Sequence, residues 1–481
     1  MMTKLRKIIL IPALSIVFIS GFFSCGVDRW PEYAHQTALD TWMYDIMQQN
    51  YLWYQNLPSY DDVNLFLEPA SFLSKVKSKN DSYSFVDSVM ETPLPTYGFD
   101  YSLVRNADID TAYNALITYV IPGSPAEAAG LERGNWIMKV DTSYISKKYE
   151  TQLLQGTQAR DLVMGVWKEV PVEPEEGEEE FVYKVVPNDI TLKLPAARSV
   201  EDNPVHKTKI LTVKENNRDI KVGYLMYNSF TAGTKAEPEK YNNELRSVSQ
   251  KFKEAGVQAV ILDLRYNEGG SMDCVQLLGT ILTSADRLGE PMAYLEYNDK
   301  NTDKDATILF GTDREINLNL HSLIAITSGT TMGAPEMLIR SLFLEDTYPI
   351  ATVGSSTKGQ NVATEQFINE EFLWSVNPVV CTVYNSQHDT YGAISPATDL
   401  KVSETTIDGS TNYSEFLPFG TFDKDGKSER LLKIAIGVLD GTYPPKDDET
   451  PEESTTQTRF KVEKSVSSPA SRRFSSKGLR L

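Results

Sequence analysis

Between residues 221 and 354 the chain alternates continuous apolar runs with stretches of helical periodicity, and few folds accept that rhythm. The runs are KVGYLMYNSF (221–230), AVILDLRYN (259–267), SLIAITSG (322–329) and PIATVG (349–354). Rich in Val, Ile and Leu, they lack the in-out alternation of a sheet with one wet face. They read as strands buried on both sides. Helical stretches over 241–255, after Gly270 and after Ala334 separate them, which predicts an α/β domain with a mainly buried sheet.

The rest of the chain follows other patterns. Residues 30–54 (WPEYAHQTALDTWMYDIMQQNYLWY) place Leu39, Trp42, Met43, Ile46 and Met47 at helical spacing, and a second helix is expected near 69–77. From about 96 to 194 short strands and turn residues take over. The acidic run EPEEGEEE (173–180) reads as a solvated hairpin insertion rather than a metal site. Beyond 443 the chain is polar and poor in aromatics, so residues 444–481 are expected to be a disordered tail.

Composition narrows the partners. The 481 residues, 41% hydrophobic, suffice for two or three domains with real cores. A formal net charge of −19, with no cluster of Lys and Arg interleaved with aromatics, argues against nucleic acid. Lys4, Arg6 and Lys7 precede an apolar stretch over 8–23 that reads as an export signal, the competing reading being a short membrane anchor. The stretch ends in FFSC, similar to a loose lipobox, so Cys25 is the expected lipidation site of a cell-envelope protein held to a membrane by its acyl chains. Plain secretion is the alternative. Cys274 and Cys381 sit in apolar stretches and read as buried thiols, the four His residues are scattered singly, and no metal or cofactor is expected.

Two sets of motifs carry resemblances. The phrase ITYVIPGSPAEAAGLERGNWIMKVD (117–141) resembles a PDZ domain of the bacterial protease type, with Asn135 where Asp is usual. That resemblance implies a β-rich domain over 96–195. It also implies that the loop at Tyr97, Gly98 and Phe99 offers backbone N–H groups to a peptide's terminal carboxylate. The phrase ILDLRYNEGGS matches DLRxNxGG through Asp263, Leu264, Arg265, Asn267, Gly269 and Gly270. With SGTTMGAPE (328–336), YLMYNSFT (224–231) and YGAISP (391–396), it makes the chain resemble the C-terminal processing, or tail-specific, serine peptidases.

The resemblance implies a multidomain α/β protein. Its parts would be a signal peptide (1–25), an N-terminal helical region (26–95), the PDZ-like domain, and a ClpP/crotonase-like α/β peptidase core over 205–443. In such peptidases the Gly269–Gly270 turn helps to form the oxyanion hole. The nucleophile's position falls on Gly333, which has no side chain. The general base's position, in TKGQ (357–360), falls on Gln360, whose amide cannot usefully take a proton. Loss of the nucleophile alone costs roughly 10⁶ in rate. A degenerate peptidase is therefore expected, binding unstructured peptide or protein C-termini without cutting them. The alternative is an active serine-type endopeptidase with a relocated dyad. Thr331 would supply its hydroxyl and Lys358 its amine, two positions before Gln360 and so on the same face if that segment is extended.

Overall fold

Apolar side chains at helical spacing build α1 (Trp30–Asn50), which packs Met43 and Met47 against Phe72, Leu73 and Val76 of α2 (Pro69–Val76). The computed structural model describes residues 30–89, 94–172, 180–215, 218–397, 400–401, 410–412, 416–422, 428–443, 459–468 and 477–481. The expected export segment with Cys25 and the centre of the acidic run lie outside them. Among the described residues no helix is long and apolar enough to cross a membrane. The last carbonyls of a helix have no partner within it. Around the end of α1, side chains from far along the chain supply them: Lys300 Nζ donates to Gln48 O at 2.8 Å, and Asn301 and Asn298 donate to Gln49 O and Tyr51 O.

After β1 (Phe85–Ser88) comes a β-rich module. Its elements are β2 (Phe99–Arg105), β3 (Tyr113–Val120), α3 (Pro125–Ala128), β4 (Trp136–Val140), β5 (Ser143–Tyr144), α4 (Glu150–Leu154), β6 (Arg160–Val172) and β7 (Glu180–Leu194). Ser124 caps α3 by accepting from Glu127 N, and Gly130 and Gly134 turn the chain at φ +81° and +92°. β6 and β7 form a long antiparallel hairpin closed by Val172 opposite Glu180.

The α/β region runs β8 (Val205–Glu215), β9 (Arg218–Tyr227), α5 (Lys240–Glu254), β10 (Val257–Asp263), β11 (Gly269–Ser271), α6 (Met272–Leu282), β12 (Pro291–Tyr297), β13 (Ala306–Leu309), β14 (Leu323–Thr327), α7 (Ala334–Leu342) and β15 (Ile350–Gly354). Strands β9, β10, β14 and β15 are parallel neighbours, and β8 joins antiparallel at the β9 edge. Alternate residues feed two cores. Leu225, Val260, Leu262 and Ala325 face the helices α5 to α7, while Tyr224, Ile261, Ile324 and Ile326 face the opposite core, which Tyr119 and Ile121 of the β-rich module also enter. Burial on both faces explains why these strands read as unbroken apolar runs.

The chain continues through β16 (Val362–Thr364), β17 (Phe367–Asn369), β18 (Trp374–Asn377), β19 (Val379–Tyr384), β20 (Ser410–Asn412) and α8 (Arg430–Asp440). The expectation of a disordered tail from 444 onward needs correction. Two of its segments are strands, β21 (Arg459–Val466) and β22 (Gly478–Arg480). β21 pairs antiparallel with β2, and β22 lies parallel between β11 and β16. A polar segment can do this because strand addition is held by main-chain hydrogen bonds, which every residue but proline supplies.

Candidate functional site

The corner between β14 and α7 is stitched to the loop after β10. Ser328 and Thr330 hydroxyls both donate to Arg265 O, Thr331 Oγ1 donates to Leu264 O at 2.9 Å, and Met332 N donates to Asn267 O. Asn267, fully buried, donates to Tyr227 O and accepts from Gly269 N, so it braces the glycine turn against β9. These contacts bear on the alternative dyad, whose two segments meet where Lys358 N donates to Thr331 O at 3.0 Å. The Thr331 hydroxyl is buried, already donates, and also accepts from Ser328 N at 3.0 Å. Lys358 is exposed while Gln360 is buried, because Gly359 at φ +89° turns the chain between them and breaks the extended geometry that a shared face requires.

Gly333 stands at the apex, immediately before α7, with φ +70° and ψ −103°. L-residues rarely adopt that backbone, and a side chain held there costs about 1–3 kcal/mol. Gln360 comes alongside. A Cβ built on Gly333 would lie 2.7 Å from Gln360 Oε1, so the structure does bring the two sequence-predicted positions together. The carboxamide donates through Nε2 to Val362 O at 2.9 Å, while its Oε1 is buried with no hydrogen-bond partner among the described residues.

Glu336 ties the two segments together, a role that a motif letter alone does not reveal. Its Oε2 accepts from Gly333 N at 2.8 Å and Gln360 N at 2.9 Å, and its Oε1 accepts from the Thr357 hydroxyl and Gly359 N. Burial pushes its carboxyl above the ordinary range, against four donors that pull it down. Thr357 is held in turn by Ile394 of the YGAISP segment, donating N–H to its carbonyl and accepting from its amide through Oγ1 at 2.8 Å. Glu336→Ala leaves those donors unpaired in a buried site, and the expected loss in a denaturant titration is about 3 kcal/mol. A loss well under 1 kcal/mol would contradict the role.

Opposite the apex, Gly269 and Gly270 have φ +119° and +135°, and a Cβ on Gly270 would collide with Phe230 O. β22 runs along this turn, with Gly478 opposite Gly269 and Leu479 opposite Gly270. Gly478 N donates to Glu268 O at 2.6 Å, and parallel pairing of this register turns the Gly478 carbonyl toward the Gly270 amide. The nearest atoms that a side chain at Gly333 would meet are Leu479 N, Gly478 C at 2.6 Å and Gln360 Oε1. The peptide bond between Gly478 and Leu479 therefore lies where a nucleophile on residue 333 would reach.

In the β-rich module, Gly98 has φ +81° and no room for a side chain against Ser124. Its N–H, expected to face a ligand carboxylate, instead donates to Thr96 Oγ1 at 3.0 Å. Tyr97 O accepts from Ala126 N, and Phe99 begins β2 opposite Val120. The edge of β2 carries β21. Lys464 of that strand pairs with Glu150 of α4 at 2.7 Å, and Ser468 ends the run on Asp100 and Thr96.

The sequence matches the model of peptidase family S41 over residues 221–376 and that of the peptidase S41 N-terminal domain over residues 38–85. A crystal structure from Bacteroides fragilis NCTC 9343, provisionally described as an S41 protease, is 39% identical. That match covers 83% of this chain and 97% of the other, with a TM-score of 0.71. The photosystem II D1 C-terminal processing protease is 15% identical over 76% of this chain and 92% of its own, with a TM-score of 0.41. No curated protein matches.

Proposed function

The chain belongs to peptidase family S41, and we propose that within this family it holds extended peptides without cutting them. One observation carries the reading. At the apex where a nucleophile would stand, a bare glycine Cα faces a buried carboxamide, and neither group can form or relay an acyl bond. What supports peptide binding is the rest of the cleft: an amide-bearing glycine turn at 269–270, main chain along β11 and β16 that accepts an added strand between them, and the edge of β2 in the PDZ-like module, which also takes a strand. Export, a lipid anchor at Cys25 and a place in the cell envelope complete the proposal on the sequence pattern alone.

The test is direct. Incubated with an unstructured protein such as casein and with a covalent serine-hydrolase probe, the purified protein should release no fragments and take up no label. Turnover above that of the Thr331→Val variant, or stoichiometric labelling, sinks the non-cutting reading.

A further inference from the structure

The cleft is not open to every peptide, because a strand of the chain itself, β22, lies in it. β22 completes the sheet between β11 and β16, Leu479 is 1% exposed within the main apolar core, and Leu481 N donates to Thr364 O. Upstream, β21 fills the edge of β2, and Lys477 reaches Asp87 beside the N-terminal helices. Gly478 is the critical residue. It has φ +90°, and a Cβ there would overlap the Gln360 carboxamide, with Nε2 at 2.7 Å and Cδ at 2.9 Å. Gln360 is itself packed to 1% exposure and tied to Val362 O, so it has little freedom to withdraw.

We infer that strand β22 is a tethered resident ligand of the cleft, and that an incoming peptide must displace it while presenting glycine to Gln360 and an apolar residue next. Gly333 and Gln360 then set specificity. The missing side chain at 333 makes room for the backbone of residues 478 and 479, and the carboxamide at 360 excludes any residue but glycine at the apex. The ligand class is an extended segment of Gly-apolar pattern, of which KGLRL (477–481) is the internal example. This rests on the peptide-holding reading above. A tethered strand competes at an effective concentration on the order of millimolar, so a free peptide of micromolar intrinsic affinity should bind the intact protein on the order of 1,000-fold more weakly than a protein whose own strand cannot seat.

The experiment titrates a fluorescent peptide, Ser-Lys-Gly-Leu-Arg-Leu, and its version with alanine in place of glycine, into the full chain and into the full-length variants Gly478→Val and Leu479→Asp. Circular dichroism checks the fold of each variant. Two variants that unseat the strand by different means, a side chain against Gln360 and a charge in the core, guard against a single folding defect. The expected result is weak binding of the glycine peptide to the unmodified chain, binding on the order of 1,000-fold tighter to both variants, and no binding of the alanine peptide to any of them. Equal affinity for unmodified and variant protein overturns the resident strand. Equal affinity for the two peptides overturns the glycine requirement, and binding to none of the proteins overturns the inference as a whole. Mass spectrometry of the recovered peptide separates the two readings. A peptide bound and cut after glycine defeats the non-cutting proposal and leaves the resident strand standing, whereas an uncut peptide that ignores the variants does the reverse.

Discussion

The double variant Gly333→Ser with Gln360→Lys should shorten itself by three residues. The serine oxygen would arise beside the Gly478 carbonyl carbon, with that carbonyl turned toward the Gly270 amide. The lysine would stand where Gln360 now fills a buried pocket, in which an amine loses part of its charge preference and can take the serine proton. The oxygen then adds to the carbonyl, the bond to Leu479 N breaks, that nitrogen takes the proton, and water releases the new carboxylate at Gly478. The strand backbone must first shift, because the new Cβ would stand 2.6 Å from Gly478 C and closer still to Leu479 N, nearer than a Cβ can approach main chain, and serine at φ +70° carries about 1–3 kcal/mol of strain. Turnover should therefore be slow but visible as a chain ending at Gly478. Dyad members act as a unit, so either single change should leave the terminus whole. Cleavage by either single variant would contradict the roles assigned to these two positions.

Replacing Arg265 should have the largest effect on stability. Its guanidinium, 1% exposed, is bonded to Asp263 through Nε and Nη2 and to Glu429 through Nη1 at 2.8 Å. Asp263 also accepts from Tyr224, and Glu429 caps α8 by accepting from Leu432 N. In Arg265→Met both carboxylates stay buried and lose the guanidinium bonded to them, with Arg133 alone still acting on Glu429, which costs about 3–5 kcal/mol. A fall in Tm on the order of 10 °C is expected by calorimetry. A fall of only a degree or two would show that the triad is not what anchors the loop carrying Asn267 and the glycine turn.

The α/β region was legible because its strands are buried on both faces, so Val260, Ile261 and Leu262 are apolar in a row and no register ambiguity hides them. The turns around Gly130 and Gly134 were legible because positive φ demands glycine. Gly333 and Gln360 could be paired from spacing in known motifs, and the fold does set them side by side. Lys358 does not share a face with Gln360, because that rule assumes an extended chain and Gly359 breaks it. Nothing local announced β21 or β22. Apart from β20, which pairs with β21, their partners lie more than a hundred residues away, and main-chain pairing leaves almost no trace in composition. Glu336 was readable as a motif letter, but its four donors come from segments that meet only in the folded chain.

The unmodified chain carries its own most direct assay, since its Gly478–Leu479 bond rests against the apex. Its intact mass, followed over several days at neutral pH and 37 °C, should stay that of a chain ending at Leu481. A species ending at Gly478, or an acyl adduct on a hydroxyl of the cleft, would contradict a cleft that grips peptides and does not cut them.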